Sequence, residues 1–329
     1  MDKRIVIKVG SNVLTRKDGK LDVTRMSAIV DQVAWLRCNG YEVILVSSGA
    51  VACGRRELQV EHELDSVEQR QLFSALGQVK LVGLYYDLFR EYGIHVGQVL
   101  TMKENFQPGE QYRNQRACMT VMLENDVLPI VNENDTVSVT ELMFTDNDEL
   151  SGLIAQMMQA STLILLSNID GIFDGHPDHP ASHLIPQVEP GRNLSQYIKE
   201  EKSAFGRGGM HSKYTTAQKV QQAGIRVIIA NGERDNILVD LLQQPEKTPH
   251  TEFLPLQVES PSLQAESPSL QAESPSLQVE SSSLQAESPS LQAESPSLQV
   301  ESPSLQVESL SLQAESLSLG TEPPSLKGD

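Results

Sequence analysis

Short runs of branched apolar residues alternate with longer segments of helical spacing along residues 4–230. Runs with the length and composition of buried strands lie at 4–9, 42–46, 94–100, 127–131, 162–166 and 226–230. Strands that alternate with helices in this way build a largely parallel sheet that is covered on both faces. We therefore expect an α/β fold, a three-layer αβα sandwich around a mostly parallel sheet.

Several of the intervening segments carry signals for where a helix starts or stops. Thr24 is suited to cap a helix with one apolar face, and Gly40 is suited to end it. Ser66 and Gln69 resemble a capping box for a long helix that extends towards residue 92. Further helices are expected at 112–125, 148–159 and 210–223. Residues 137–144 could form a hairpin, which would add an antiparallel element to the sheet.

A seven-residue unit, Leu-Gln-(Ala/Val)-Glu-Ser-Pro-Ser with small variations, repeats from Leu256 to Ser318. The period of seven suggests a coiled coil, but the units lack the required pair of apolar positions and most contain proline, which breaks helices. We expect this tail to be disordered. The chain therefore divides into a globular domain at 1–250 and a low-complexity tail at 251–329.

Composition limits the class of protein. The chain carries a formal charge of −18, of which the tail contributes −11, so the globular part is only mildly acidic. This balance argues against nucleic acid as the main partner. Three cysteines without C-x-x-C spacing predict reduced thiols and a cytoplasmic location. Because the N-terminus has no signal-peptide core and no run reaches about 18 apolar residues, we expect no membrane span.

Five short polar motifs lie in order along the globular part. They are Lys-Val-Gly-Ser at 8–11, Ser-Ser-Gly-Ala at 47–50, Asn-Glu-Asn-Asp at 132–135, Asp-Asn-Asp at 146–148 and Gly-Gly-Met-His-Ser-Lys at 208–213. Together they bring two lysines, two glycine turns and an Asp/Asn cluster to the ends of predicted strands, where open α/β sheets bind ligands. The set is suited to moving a phosphoryl group from ATP to a small carboxylate.

Each motif alone has a second interpretation. Lys8 could be an exposed lysine on an edge strand, and Ser48 or Asp148 could simply cap a helix. The cluster at 132–135 could be a turn. The glycines at 206–209 make an anion nest or merely a flexible loop, and they lack the Walker A spacing. No metal site made by side chains is predicted, because prolines separate the histidines at 176, 179 and 183.

In their order and spacing these motifs resemble those of the glutamate 5-kinases, which belong to the amino acid kinase superfamily. The resemblance covers about residues 1–245, so 1–250 would be the catalytic domain. It implies transfer of the γ-phosphoryl group of ATP to the side-chain carboxylate of L-glutamate. The product would be L-glutamyl 5-phosphate, in the first step of proline biosynthesis.

The resemblance also implies a role for each matching residue. Lys8 and Lys213 would neutralise charge on the transferring phosphoryl group, and Asp148 would orient them. Glutamate would be bound by Ser48, Asp135 and Asn147. The nucleotide would be bound by Lys8, Ser167, Asn168, Arg207, Gly208, Gly209, Met210, His211, Ser212 and Lys213.

Cofactors and partners follow from the same resemblance. ATP would enter with Mg²⁺, a metal held mainly by the phosphates and water. The expected ligands are L-glutamate and ATP, a homo-oligomer is expected, and a functional link to glutamyl phosphate reductase is implied. Nucleic acid and membranes are not expected partners.

The sequence departs from the family pattern in three places. Many relatives carry a C-terminal PUA domain, a small β-rich module, where this chain has its repeat tail. Ser167 and Asn168 occupy a place that is often Thr-Asp, so an amide replaces a carboxylate beside the nucleotide. Ser212 replaces a usual threonine and keeps the hydroxyl.

Three other functions compete with this interpretation. The chain could be another kinase of the superfamily that acts on aspartate, N-acetylglutamate, carbamate or a nucleoside monophosphate. It could be a non-catalytic metabolite sensor on the same fold. It could also be an interaction protein defined by its tail. The Asn-Glu-Asn-Asp cluster favours a free amino acid as the ligand, and the presence of both lysines favours catalysis.

Overall fold

The computed structural model describes residues 3–58, 60–138, 144, 146–198 and 209–256. Within them, the strands of one sheet are β1 (Arg4–Val9), β2 (Glu42–Ser47), β3 (His95–Thr101), β4 (Val127–Glu133), β5 (Thr162–Ser167), β6 (Gln187–Val188), β7 (Arg226–Asn231) and β8 (His250–Phe253). Their order across the sheet is β3-β4-β2-β1-β5-β7-β8-β6. All six expected strands are confirmed, with ends that differ by at most two residues.

Helices cover both faces of this sheet. They are α1 (Ser11–Leu14), α2 (Val23–Cys38), α3 (Ala50–Glu57), α4 (Ser66–Arg90), α5 (Glu110–Glu124), α6 (Asn147–Met157), α7 (Met210–Gln222) and α8 (Ile237–Gln243). Apolar residues of α2, α3, α4 and α8 form one core with one face of the strands. Residues of α5, α6 and α7 form a second core with the opposite face. The three-layer α/β architecture is therefore confirmed.

Strand β1 lies in the middle of the sheet and places Lys8 on a defined face. It pairs in parallel with β2 on one side and with β5 on the other. Ile5 and Ile7 belong to the core under α2 and α4, whereas Val6 belongs to the core under α6 and α7. Because side chains alternate along a strand, Lys8 points to the same face as Val6. The alternative of an exposed lysine on an edge strand is therefore wrong.

The N-cap of helix α2 lies two residues before the expected one. Asp22 is the N-cap, and its Oδ1 atom accepts the backbone N–H of Arg25 at 3.1 Å. The expectation that Thr24 caps this helix is wrong, because the carboxylate at 22 already satisfies a first-turn donor. Gly40 follows the last turn with a φ of +77°, the left-handed conformation that ends helices.

Helix α4 has a capping box displaced by one residue from the expected one. Asp65 accepts the backbone N–H of Glu68 at 2.8 Å, and the Glu68 carboxylate accepts the Asp65 N–H at 2.9 Å. The prediction that Ser66 and Gln69 form the capping box is wrong, since the box is made by the carboxylates of Asp65 and Glu68, which accept each other's backbone N–H groups. The helix itself is confirmed and ends at Arg90.

The antiparallel part of the sheet comes from its C-terminal end. Strand β8 pairs antiparallel with β7, and β6 pairs in parallel with β8. Neither short strand was predicted, and β8 crosses the expected domain boundary at residue 250. Most of the proposed hairpin, at 139–143, and the repeat tail beyond residue 256 lie outside the described residues.

Among the helices of the described part of the chain, none combines the length and apolar character needed to cross a membrane.

Candidate active site

A cleft of about 920 Å³ opens at the carboxyl ends of the central strands. It is lined by residues at or just after the carboxyl ends of β1, β2, β4 and β5, and by the first turns of α3, α6 and α7. Parallel strands end at the same edge of a sheet, which is why motifs far apart in sequence meet here. The sequence-predicted residues in its lining are Lys8, Ser48, Asp135, Asn147, Asp148, Ser167, Asn168, Gly209, Met210 and Lys213.

Lys8, Asp148 and Lys213 meet inside this cleft. The Lys8 Nζ atom lies 2.5 Å from Asp148 Oδ1, and the Lys213 Nζ atom donates to Asp148 Oδ2 at 2.9 Å. Lys8 is the penultimate residue of β1, Asp148 lies in the first turn of α6, and Lys213 lies in the first turn of α7. Their exposed fractions are 5%, 0% and 8%. One carboxylate therefore holds two ammonium groups side by side, one on each oxygen.

The electrostatics of this group reflect burial set against mutual attraction. Burial disfavours the ionised Asp148, but the two adjacent lysines outweigh it and hold the pKa of Asp148 below its ordinary value. At Lys8, burial and repulsion by Lys213 outweigh the attraction of Asp148, so the pKa of Lys8 is lowered. Burial and the neighbouring Asp148 raise the pKa of Asp146. Two lysines facing one carboxylate make a local field that suits an anion.

Two helices begin at the cleft without a side-chain cap among the described residues. The N-cap of α3 is Gly49, with a left-handed φ of +108°, and the N-cap of α7 is Gly209. Unpaired N–H groups and the partial positive charge at helix starts are suited to phosphate or carboxylate. A β-carbon at Gly10 would lie 3.4 Å from Lys8 Nζ and 3.2 Å from the Leu166 oxygen, so glycine leaves that lysine room.

Asn147 joins two of the predicted substrate-binding motifs. Its Nδ2 atom donates to Ser48 Oγ at 2.9 Å and to Asn132 Oδ1 at 3.0 Å. Asn132 in turn donates to the Gln78 side chain at 2.9 Å. Ser48 and Asn147, both predicted as glutamate ligands, are therefore brought into direct contact on the wall of the cleft.

Asp135, the third predicted glutamate ligand, pairs with an arginine that the sequence analysis missed. Arg70 of α4 donates from Nε to Asp135 Oδ1 at 2.6 Å and from Nη2 to Glu133 Oε2 at 2.8 Å. Arg70, Ser74 and Gln78 are spaced four residues apart, which places them on one stripe of α4. All three are largely buried despite being polar. That polar stripe was the signal in the sequence that could have found them.

The predicted nucleotide side is placed only in part. Ser167 is the last residue of β5 and Asn168 follows it. Both line the cleft, and so do Gly209 and Met210 at the start of α7. The remaining predicted positions fall into two groups. His211 and Ser212 are described but lie outside the cleft lining, and Arg207 and Gly208 lie outside the described residues.

Known proteins share this arrangement of sequence and fold. The family model for the amino acid kinase family matches residues 3–231. The glutamate 5-kinase of Bacteroides thetaiotaomicron is 67% identical over 252 residues, which are 77% of this chain and 70% of that protein. The glutamate 5-kinase of Chlorobaculum tepidum is 48% identical, over 72% of this chain and 65% of that protein.

Other relatives differ in length, and solved structures show the fold. The chain spans about two thirds of the length of the two relatives above, but 94% of the glutamate 5-kinase of Symbiobacterium thermophilum, at 40% identity. The carbamate kinase of Giardia lamblia bound to AMP-PNP aligns with a TM-score of 0.58 at 16% identity, over 77% of this chain and 98% of that one.

The family model and these relatives agree with the cleft described above. The matched segment, 3–231, contains every strand that ends at the cleft and both of its lysines. The sequence identity is far above what a shared fold alone requires. This chain therefore belongs to the amino acid kinase family and, within it, to the glutamate 5-kinases.

Proposed function

We propose that this protein phosphorylates the side-chain carboxylate of L-glutamate with ATP and forms L-glutamyl 5-phosphate, as the first step of proline biosynthesis. The observation that carries the proposal is the pair of ammonium groups held on Asp148 in a cleft beside a polar, amide-rich wall. The glutamate 5-kinase relatives supply the identity of the acid. Phosphoryl transfer needs such positive charge where negative charge moves between donor and acceptor.

In this mechanism a carboxylate oxygen of glutamate attacks the γ-phosphorus of ATP, and the bond from that phosphorus to the bridging oxygen breaks to release ADP. The nucleophile is already ionised at neutral pH, so no strong general base is required. Lys8 and Lys213 stabilise the charge on the phosphoryl oxygens, and Asp148 holds both lysines in place. Catalysis then comes from alignment and electrostatics.

Glutamate binds against the wall of the cleft that Ser48, Asn147 and Asp135 form. The hydroxyl and amide groups of Ser48 and Asn147 bond to each other at 2.9 Å and orient the acid. The Asp135 carboxylate forms an ion pair with the ammonium group of the free amino acid. This division of roles favours a free amino acid over an N-acylated one, because acylation removes the positive charge.

ATP occupies the side formed by β1, β5 and α7. Its phosphates bind at the uncapped start of α7, at Gly209, and between the ammonium groups of Lys8 and Lys213. Ser167 and Asn168 lie on the same side, and Arg207 and Gly208 are proposed to complete it. Mg²⁺ is proposed to arrive with ATP and to neutralise phosphate charge, since in such sites it takes most of its oxygens from phosphates and water.

Further proposals concern the cellular context. A homo-oligomer is proposed from the family resemblance, as is a functional link to glutamyl phosphate reductase, because an acyl phosphate is short-lived in water and must be used promptly. The cytoplasm is the proposed compartment, where thiols such as Cys38 and Cys118, both exposed, stay reduced.

Trapping of the product tests the substrate. We expect the purified protein, incubated with ATP, Mg²⁺ and hydroxylamine, to give a hydroxamate with L-glutamate, because hydroxylamine captures acyl phosphates. Aspartate, N-acetylglutamate and carbamate serve as parallel arms. If a hydroxamate forms with aspartate and not with glutamate, the substrate is aspartate and the proposed one is wrong. No hydroxamate with any acid would favour the metabolite sensor or a kinase that acts on a nucleoside monophosphate.

The lowered pKa of Lys8 predicts a loss of activity at alkaline pH. Lys8 acts only when protonated, and a lysine with an ordinary pKa stays protonated to about pH 10. We expect kcat, measured with both substrates saturating, to fall as pH rises through the lowered pKa of Lys8. Circular dichroism at each pH separates this effect from unfolding. A constant kcat up to about pH 10 in folded protein would contradict the role of Lys8.

A further inference from the structure

We propose that Arg70 is a positioning residue for glutamate, which acts by fixing the orientation of Asp135. This inference rests on the proposed function and assigns a part of the site to helix α4. Neither Arg70 nor α4 belongs to the five motifs from which the site was predicted.

Arg70 is held at the cleft by a rigid helix start. The capping box of Asp65 and Glu68 fixes the first turn of α4, and Arg70 follows directly after that turn. Its side chain is only 14% exposed, and it lines the cleft. A side chain that is largely buried and attached to a rigid backbone can adopt few rotamers.

The guanidinium contacts Asp135 through two of its nitrogens. Both Nε and Nη2 donate to the same Asp135 oxygen, Oδ1, with the Nε contact at 2.6 Å. Asp135 lies in the turn after β4, where the backbone alone would allow its short side chain several orientations. Two donors on one oxygen remove that freedom, and so they define the direction in which the carboxylate meets an incoming ammonium group.

Glu133 keeps the guanidinium itself in place. Its Oε2 atom accepts Arg70 Nη2 at 2.8 Å, while its Oε1 atom accepts the backbone N–H of Phe144 at 3.1 Å and the Ser138 hydroxyl at 3.2 Å. Glu133 is 2% exposed, so it belongs to the scaffold of the site. The chain of contacts therefore runs from the end of β4 through Arg70 to Asp135.

Lysine has the charge of arginine but not its geometry. A planar guanidinium presents several N–H groups in a fixed fork and can bridge two carboxylates, whereas an ammonium is a point charge on a flexible stem. Arg70→Lys therefore keeps the charge that Asp135 and Glu133 face while it releases the orientation of Asp135. This makes lysine the informative substitution, and a change to alanine would remove charge and packing together.

A double-mutant cycle tests the inference. We expect Arg70→Lys to raise the KM for glutamate about tenfold or more, with the KM for ATP changed by less than about twofold. In the Asp135→Asn background the same substitution should add less than about twofold, because the carboxylate that it positions is gone. Thermal unfolding of each variant shows whether it is folded. Arg90→Lys is the matched control and should leave both KM values unchanged, since Arg90 is an exposed arginine at the end of the same helix that pairs with Asp87 and lies outside the cleft lining.

Several outcomes would overturn the inference. If the fold-change in the KM for glutamate in the double variant is the product of the two single fold-changes, the two residues act independently. Arg70 then binds glutamate directly or acts elsewhere. Equal rises in the KM for glutamate and for ATP, with a lowered unfolding temperature, would mean a purely structural role. An unchanged KM for glutamate would exclude any role. If the wild-type protein gives no hydroxamate with glutamate, the proposed function fails, and this inference fails with it.

Discussion

We expect Lys213→Ala to lower kcat by about a hundred- to a thousandfold, with a folded protein and little change in the KM for glutamate. Removing one preorganised donor from a transition-state charge typically raises the barrier by about 2.7–4 kcal/mol. Lys213 is 8% exposed and directly paired with Asp148, so water cannot easily take its place. Single-turnover measurements with purified protein separate the chemical step from product release.

The chain offers a matched control on the same helix. Lys219 also lies on α7 but is exposed, and we expect Lys219→Ala to leave kcat unchanged. Lys213→Met fills the volume of the lost side chain, so it guards against a result caused by a cavity. If Lys213→Met folds as the wild type does and keeps its turnover, the charge of Lys213 has no part in the reaction.

The position of the site was predictable because it depends on strand ends. Apolar runs such as 4–9 and 162–166 are short, β-branched and bounded by polar residues, which marks them as buried strands. Once the strands are recognised, the residues at their ends can be assigned to the edge of the sheet. The sheet then brought Lys8, Asp148 and Lys213 together across gaps of 140 and 65 residues, as its parallel order requires.

The contacts made by α4 were not predictable in the same way. Arg70 precedes Asp135 by 65 residues, and nothing local to either residue specifies that they meet. Their contact depends on how α4 packs against α3 and the sheet, which is a property of the folded state. Strand β8 was missed for a related reason. Its four residues, His250–Phe253, contain too few apolar side chains to mark a strand, and pairing with β7 makes it one.

The contact between α3 and α4 also leads to the second large expected effect, a loss of stability in Gly77→Ala. An added β-carbon at Gly77 would lie 1.8 Å from the backbone oxygen of Ala50 and 2.5 Å from the backbone nitrogen of Gly54. These are backbone atoms, so no side chain can rotate aside and the two helices must separate. Overpacking costs about 1–3 kcal/mol even where side chains can adjust. We expect a loss of about 3 kcal/mol or more in the free energy of unfolding, measured by urea denaturation.

Helix separation should also reach the active site, because α3 begins at Ala50, directly after Ser48 and Gly49, and α4 carries Arg70. We therefore expect Gly77→Ala to raise the KM for glutamate as well as to lower stability. Gly83 on the same helix is the control, since an added β-carbon there meets no atom within 4 Å. Gly83→Ala should stabilise the protein by about 0.4–1 kcal/mol, because alanine restricts the unfolded chain and favours the helix. Equal stability changes at positions 77 and 83 would show that α3 and α4 do not depend on this close contact.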